Sequence, residues 1–406
     1  MSTERQVGPG ALISVAEHRS TILSAMGVTQ PIDLVGHWCV GAALAADVVA
    51  RVAVPTFTNS AMDGYAVRAA DVARVPVRLA VTADIPAGRP SVIPLTSGTA
   101  QRIMTGAPLP DGADAVVRVE WTDAGMGEVR IGRSVPVGQD VRFAGEDVLA
   151  GAVVARVGQS VSAGLLGASA AIGVGQLTVH RRPRVVVVST GDELAVPGAD
   201  LGAGMIYESN SRMLEALVGP AGGEVVDVAT LTDDIGQASR RLQAWAAAAD
   251  VIITTGGVSA GAFEVVKQAC EEVGTVEFVK VAVQPGKPQG FGLIGMTPII
   301  TLPGNPVSAF VSFELFARPA LRALGGHAVT DRPAVTLVLT EPVRRSPDRH
   351  RYIPARADLG AGTVAPTAKH GSHMVTAVAE ADALISISAG HDQVFAGEPC
   401  EVMLLL

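Results

Sequence analysis

Between residue 184 and about residue 320 the chain alternates short runs that are apolar at consecutive positions with longer runs of helical apolar spacing. "RVVVVSTGDEL" precedes "SNSRMLEALVGPAGG", "VVDVATLTDD" precedes "GQASRRLQAWAAAA", and "DVIITTGG" precedes "EVVKQACEEVG". Strands near "TVEFVKVAV", "GFGLI" and "PIITLPG" then lead to a long helix from "NPVSAFVSFELF". A strand apolar on consecutive residues is covered on both faces, and interleaved helices cover both faces of a parallel sheet. The segment is predicted to be a three-layer α/β domain.

Ligands of open parallel sheets bind beyond the carboxyl ends of the strands. Those ends carry "STGDEL", "LTDD", "TTGGVS" and "LPGN", four polar tips expected on one rim. Gly256 and Gly257 let the main chain approach a ligand, Ser259 can donate to a phosphate, and the following helix adds the partial positive charge of its N-terminus. Asn305 is placed to cap the last helix, with Pro306 in its first turn. Asp192, Glu193, Asp233, Asp234 and Glu264 would each serve equally well as helix caps or solvated loop acids. Beside phosphate-binding turns they make better sense if a hard cation such as magnesium links them to phosphate oxygens.

Elsewhere the texture differs. Residues 11 to 50 read as helical, from the spacing in "VAEHRSTILSAM" and "GAALAADVVA", whereas residues 75 to 180 read as short β-rich runs separated by Gly, Pro and Asp-Gly turns. With 406 residues, 48% hydrophobic and 17% charged, two to four folded domains are expected. No stretch approaches the length of a membrane span and "MSTERQVGPG" lacks the apolar segment of a secretory signal, so cytoplasm is the expected location. Cys39, Cys270 and Cys400, odd in number and far apart, read as small core residues. A net charge of -8 argues against a nucleic-acid surface, so an anionic ligand must be held by local charge. Of four lysines, Lys267, Lys280 and Lys287 fall close together and Lys369 apart.

Eight motifs then carry a resemblance, in order along nearly the whole chain: "NSAMDGYAV" (59 to 67), "RIMTGAPLPDGADAVV" (102 to 117), "GED" (145 to 147), "STGDEL", "TTGGVSAG", "PGKP" (285 to 288), "LPGNPVSA" (302 to 309) and "GSHM" (371 to 374). The sequence resembles the molybdopterin molybdenumtransferase family, MoeA and the gephyrin E domain. The resemblance implies α/β and β multidomain architecture, an elongated four-domain subunit in a homodimer. Its parts would be a helical N-terminal domain (1–50 with 150–181), an inserted β domain (51–149), the α/β molybdopterin-binding domain (182–328) and a C-terminal β domain (329–406). The cleft would lie between the α/β and C-terminal domains of one subunit and the inserted domain of the other. The implied reaction joins molybdate to the dithiolene of adenylylated molybdopterin with release of AMP. A molybdopterin adenylyltransferase would supply the substrate and molybdoenzymes would receive the product.

Carried over residue by residue, Asp63 and Thr105 match the inserted-domain wall and Asp147 the acid of "GED". Glu193, Asp233 and Glu264 match acids of the nucleotide and Mg2+ site. Ser259 with Gly256 and Gly257 matches the phosphate turn, and Pro303 with Pro306 shapes the opposite turn. Lys280, Lys287, Arg349 of "SPDRHRY" and Ser372 match the molybdate pocket. Two departures stand out: Gln284 where the family commonly has lysine before "PGKP", and "GAFE" where it has a G-D-x-D acid pair, so that Ala262 removes one carboxylate and Glu264 lengthens the other. Three function classes follow: the transferase, a pterin-binding scaffold of reduced activity, and a molybdopterin adenylyltransferase. "NSAMDGYAV" and the C-terminal β domain speak against the last.

Overall fold

The computed structural model describes residues 12–232, 234–257, 265–367 and 371–405. In the first domain, helix α1 (Val15–Ser24) starts at Ser14, whose hydroxyl accepts from the Glu17 amide at 3.0 Å. The helix expected over "GAALAADVVA" does not form. Ala43 and Leu44 make β-bridges to Ser160 and Val179, and Val48–Val49 pairs with the strand Val153–Ala155. Gly41 at φ 82° and the β-branched pair Val48 and Val49 suit that extended path, so tertiary pairing overrides the alanine-rich composition. The converse holds for helix α2 (Ala163–Ala171), which lies inside the stretch expected to be β. Its sequence signal is Ser162, which caps the Leu165 amide ahead of a run of small helix formers. Cys39, Leu44, Val161, Leu165 and Val179 share this domain's core.

The inserted region folds as a five-stranded sheet of β1 (Gly64–Val67), β2 (Val77–Ile85), β3 (Thr99–Ile103), β4 (Ala115–Arg118) and β5 (Glu128–Ile131), in the order β4-β1-β3-β2-β5. Tyr65, Val117, Val129 and Ile131 are fully buried in it.

The α/β domain contains β6 (Arg184–Thr190), α3 (Asn210–Val218), β7 (Glu224–Leu231), α4 (Ile235–Ala248), β8 (Val251–Thr255), α5 (Val265–Val273), β9 (Glu277–Lys280), β10 (Val283–Gln284), β11 (Pro288–Ile294), β12 (Thr297–Leu302), α6 (Pro306–Ser312) and α7 (Arg318–Leu324). Strand order is β7-β6-β8-β12-β11-β9. Val185 and Val187 point into one core with Leu214, Phe310 and Leu321, while Val186 and Val188 point into the other with Leu242, Val266 and Ala269. Alternate residues of one strand therefore feed two cores, which is why the strand is apolar throughout.

The first four strands in that order are parallel, but β11 runs antiparallel to both β12 and β9. This corrects the expectation of an all-parallel sheet. Ile294 pairs directly with Thr297 across Gly295 (φ 62°) and Met296, and a two-residue connection permits only antiparallel neighbours.

The C-terminal domain is a closed ring of β13 (Ala334–Leu339), β14 (His350–Asp358), β15 (Thr363–Pro366), β16 (Ala383–Ile387) and β17 (Pro399–Leu404), paired β14-β15-β13-β17-β16 and back to β14. Strand β10 of the α/β domain adds to this barrel, parallel to β14. That two-residue ladder is one of the contacts through which the two domains meet. All three cysteines are buried and unpaired, as expected of core residues. No helix among the described residues is long and apolar enough to cross a membrane.

Helix α1 packs on α7 and the turn before it, where His18 is 3% exposed with its ring edge-on to Phe316 at 4.8 Å. Burial pushes the His18 pKa from 6.5 down to about 4. The folded chain is thus the poorer base, and this contribution to stability is complete above about pH 6.5, falls as the unfolded chain takes up the proton, and is gone below about pH 4. A shift of that size corresponds to about 3 kcal/mol. We expect His18→Leu to flatten the loss of stability between those two pH values, measured by urea unfolding at stepped pH. An unchanged slope would exclude His18 as its source.

Candidate active site

The carboxyl ends of β6, β8 and β12 open into one cavity of about 830 Å³. Its walls come from both sides of the seam: the tips Thr190, Gly256 and Gly304 with Asn305, the β10–β11 turn from Gln284 to Pro288, Arg349 and Arg351 of the loop into β14 and of β14 itself, and Ser372 with His373. Three of the four predicted tips thus converge. The fourth, "LTDD", does not line the cavity with its described residues; Asp234 instead caps α4, accepting from the Gln237 amide at 2.9 Å.

Hydrogen bonds stitch the β8 and β12 tips to the start of α3. Thr255 Oγ1 donates to the Pro303 carbonyl at 2.9 Å, and Asn210 Nδ2 reaches Thr255 Oγ1 at 3.0 Å and the Gly304 carbonyl at 2.7 Å. Gly256 has φ 90°, and a Cβ there would lie 2.8 Å from Thr190 Oγ1 and 2.9 Å from its carbonyl. The position therefore admits only glycine without moving backbone. We expect Gly256→Ala to cost about 1–3 kcal/mol from the strained backbone alone. Chemical denaturation measures this, and a cost below 0.5 kcal/mol, about the scatter of neutral surface changes, would contradict the close approach.

Asn305 occupies the N-cap position of α6, but its side chain does not cap. Its Nδ2 donates to Ser372 Oγ at 3.1 Å, and the Ser372 carbonyl accepts the Val307 amide at 3.1 Å. The expected cap is therefore replaced by a contact in which the "GSHM" loop itself closes the helix end, the Ser372 carbonyl taking the Val307 amide. Pro306 stands in the first turn as expected.

Of the residues singled out in the sequence, Glu193, Gly256, Gly257, Gln284, Lys287, Pro303, Pro306, Arg349 and Ser372 line the cavity. Asp233, Ser259 and Glu264, with Ala262, lie outside the described residues. Lys280 is exposed at the end of β9, paired with Pro288, and Lys267 sits on α5; neither lines the cavity. Asp63, Thr105 and Asp147 belong to the inserted region and do not line this chain's cavity. Asp63 accepts from the Thr105 amide at 2.7 Å and hydroxyl at 2.9 Å, which hold its carboxyl below the ordinary range.

Sequence reasoning passed over Glu208, Asn210, Arg351 and His373. Glu208 is 7% exposed and committed to Ser211, accepting from its amide at 2.8 Å and its hydroxyl at 2.5 Å. Three cations, Lys287, Arg349 and Arg351, face the cavity, against the carboxylates Glu193 and Glu208. Glu193 folds back over Gly191 (φ 141°), where a Cβ would lie 2.4 Å from the carboxylate. No group of three His, Cys, Asp or Glu able to hold a metal occurs among the described residues.

Comparison with known proteins agrees with this architecture. The family model described as "MoeA N-terminal region (domain I and II)" matches residues 13–173, "Probable molybdopterin binding domain" residues 186–323, and "MoeA C-terminal region (domain IV)" residues 336–405. Molybdopterin molybdenumtransferase 2 of Mycobacterium tuberculosis H37Rv is 47% identical over 399 residues, 96% of this chain and 98% of that one. The molybdopterin molybdenumtransferase of Haemophilus influenzae is 35% identical over 360 residues, covering 87% and 89%. The crystal structure of the molybdopterin biosynthesis MoeA protein from Pyrococcus horikoshii OT3 superposes with a TM-score of 0.85 at 27% identity, over 97% of this chain and all of that one.

Proposed function

The chain belongs to the MoeA family of molybdopterin molybdenumtransferases, and on that premise we propose that its cleft joins molybdate to the dithiolene of adenylylated molybdopterin and releases AMP. The observation that carries the assignment of the site is the gathering of Lys287, Arg349 and Arg351 opposite the glycine tips of a parallel sheet. Gly256, Gly257 and the rim amides approach the phosphates, and the three cations hold a tetrahedral dianion beside the sulfurs. Ser372, tied to Asn305, presents a hydroxyl at the same wall. A molybdopterin adenylyltransferase supplies the substrate in this reading, cofactor-free molybdoenzymes take the product, and the location is cytoplasmic. The matches on both sides of residues 186–323 favour this over adenylylation by the chain itself.

The reading includes a divalent cation, Mg2+, whose chemistry would be to neutralise the bridging phosphates. Of its expected ligands only Glu193 is among the described residues, which does not complete a ligand set, so no step is derived through the ion. Purified protein incubated with molybdate, magnesium and adenylylated molybdopterin is expected to release AMP and to reconstitute a cofactor-free molybdoenzyme. Pterin binding without AMP release would point to the scaffold instead.

The reading also includes a homodimer in which the wall bearing Asp63, Thr105 and Asp147 serves the partner's cleft. Supporting it, the first domain exposes Val28, Ile32, Val35, Val49, Val153 and, at 69%, Trp38. In this reading these side chains form part of the face that the partner covers. We expect Trp38→Glu to shift the chain from dimer to monomer by light scattering; a mass unchanged by the substitution would remove this face from the interface.

A further inference from the structure

We infer that Tyr207 is the stacking surface for the adenine ring of the adenylylated substrate, the contact by which the chain holds the departing AMP at its base. The inference rests on the reading above and deepens it, since glycine turns and cations account for phosphate and oxyanion but not for a flat ring. The chain is poor in aromatic residues, at 4%, and has only three tyrosines, yet Tyr207 and Tyr352 both line this cleft. The two are not equivalent. Tyr352 is 9% exposed and stacked on His350 at 4.7 Å, so its ring is already covered. Tyr207 is 45% exposed.

The backbone explains why that ring stands open. Beyond β6 the chain makes a loop in which two short strands, Leu194–Ala195 and Ile206–Tyr207, pair in parallel, with Tyr207 directly opposite Ala195. Opposite residues of a ladder share a face, so across the ladder the ring meets only a methyl group. The Tyr207 hydroxyl donates to the Ala199 carbonyl at 2.9 Å, a contact at the ring's edge that anchors its far end. The ring is therefore oriented before a ligand arrives and has little rotamer freedom left to lose on binding. Leu194 and Ile206 add apolar surface to the same wall.

Strand order selects which ring of the substrate this is. Along the rim the sheet runs β6, β8, β12, β11, and with strands about 4.8 Å apart the loop after β6 and the turn bearing Lys287 before β11 stand three spacings apart, roughly 14 Å. Gly256 and Gly257, at the end of β8, lie between them. In adenylylated molybdopterin the phosphate bridge joins adenosine on one side to the dithiolene-bearing pterin on the other. With phosphates on the glycines and sulfurs beside the cations, the adenosine extends the opposite way, toward Tyr207. A planar base and a planar phenol then stack in an offset arrangement.

Isothermal titration calorimetry of AMP, ribose 5-phosphate and unsubstituted pterin against the full-length wild-type chain, Tyr207→Ala and Tyr207→Phe tests this, with circular dichroism confirming the fold of each. Tyr207→Ala is expected to weaken AMP binding by about 10- to 100-fold, the range for a base stacked on an aromatic side chain, and to leave ribose 5-phosphate and pterin unchanged. Tyr207→Phe keeps the ring and loses only its anchor, so a loss of less than about 5-fold is expected. Unchanged AMP affinity in Tyr207→Ala overturns the assignment. An equal loss for ribose 5-phosphate overturns it too, because the loop would then be supporting the phosphate turn. A loss for pterin as large as that for AMP, or a wild type that binds no AMP, does the same. Binding of AMP that depends on Tyr207, in a protein that releases none from adenylylated molybdopterin, upholds the stacking site and sinks the transferase reading alone.

Discussion

Replacing Glu314 with alanine is expected to lower the unfolding free energy by about 3–5 kcal/mol, the usual consequence of removing one member of a buried ion group. Glu314 lies in the π-helical turn Phe313–Ala317 between α6 and α7, with a side chain that is 0% exposed. Arg332 meets both its oxygens, at 3.0 Å and 3.2 Å, and Arg318 Nε lies 3.8 Å away. Burial, with the Arg332 charge next, already pushes the Arg318 pKa down to about 10. Without the carboxylate two guanidinium groups would face each other in a dry site. The damage would spread, because Arg332 also donates to the Leu405 carbonyl at 2.9 Å and Arg318 to the Thr330 carbonyl at 2.8 Å, tying α7 to the connection between domains. Urea unfolding followed by circular dichroism gives the magnitude. A cost under about 1 kcal/mol, typical of an exposed pair, would show that water screens the group. The triple replacement of Glu314, Arg318 and Arg332 by methionine should recover much of the loss, since apolar substitutes need no counter-charge.

Lys287→Ala is expected to raise the half-saturating molybdate concentration by about 10- to 100-fold, the range for losing one hydrogen bond to a charged group, while pterin binding changes little. The ammonium stands in the β10–β11 turn, which Gln289 fixes by donating to the Gly286 carbonyl at 2.6 Å and to Ser312 Oγ at 2.6 Å. Gly286 (φ 103°) admits no side chain, because a Cβ would lie 2.8 Å from that same hydroxyl. The lysine is thus delivered by a rigid turn, and alanine removes charge without altering the support. A point charge contributes proportionately more to a small dianion than to a pterin nucleotide held by many contacts. Equal loss of molybdate use and pterin affinity would refute the division.

Much of this was legible in the sequence, for identifiable reasons. Doubly covered strands such as β6 write their burial as consecutive valines, and the glycines at 256 and 257 mark where backbone must turn sharply. The first domain was read less well, because "GAALAADVVA" has helical composition but is held extended by partners more than 100 residues away. The antiparallel β11 was missed because "GLIGMTPII" offers no Asn-Gly or Asp-Gly, although Gly295 was the available sign. Arg351 escaped notice because its place beside Gln284 depends on a ladder between domains 67 positions apart, which no local pattern encodes. Asn305 was correctly set at a helix start, yet its amide is spent on Ser372, a choice made by which neighbour arrives.

The two-residue pairing of β10 with β14 has a further implication for how the fold could be divided. A fragment stopping after α7 would keep every glycine turn and Lys287, yet would forfeit both guanidinium groups at a stroke. On the proposed reading, a fragment of this kind would keep the glycine turns and Lys287 for the nucleotide end but hold an oxyanion with only one of three cations, the other two arriving only once a barrel has been grafted onto the sheet's edge.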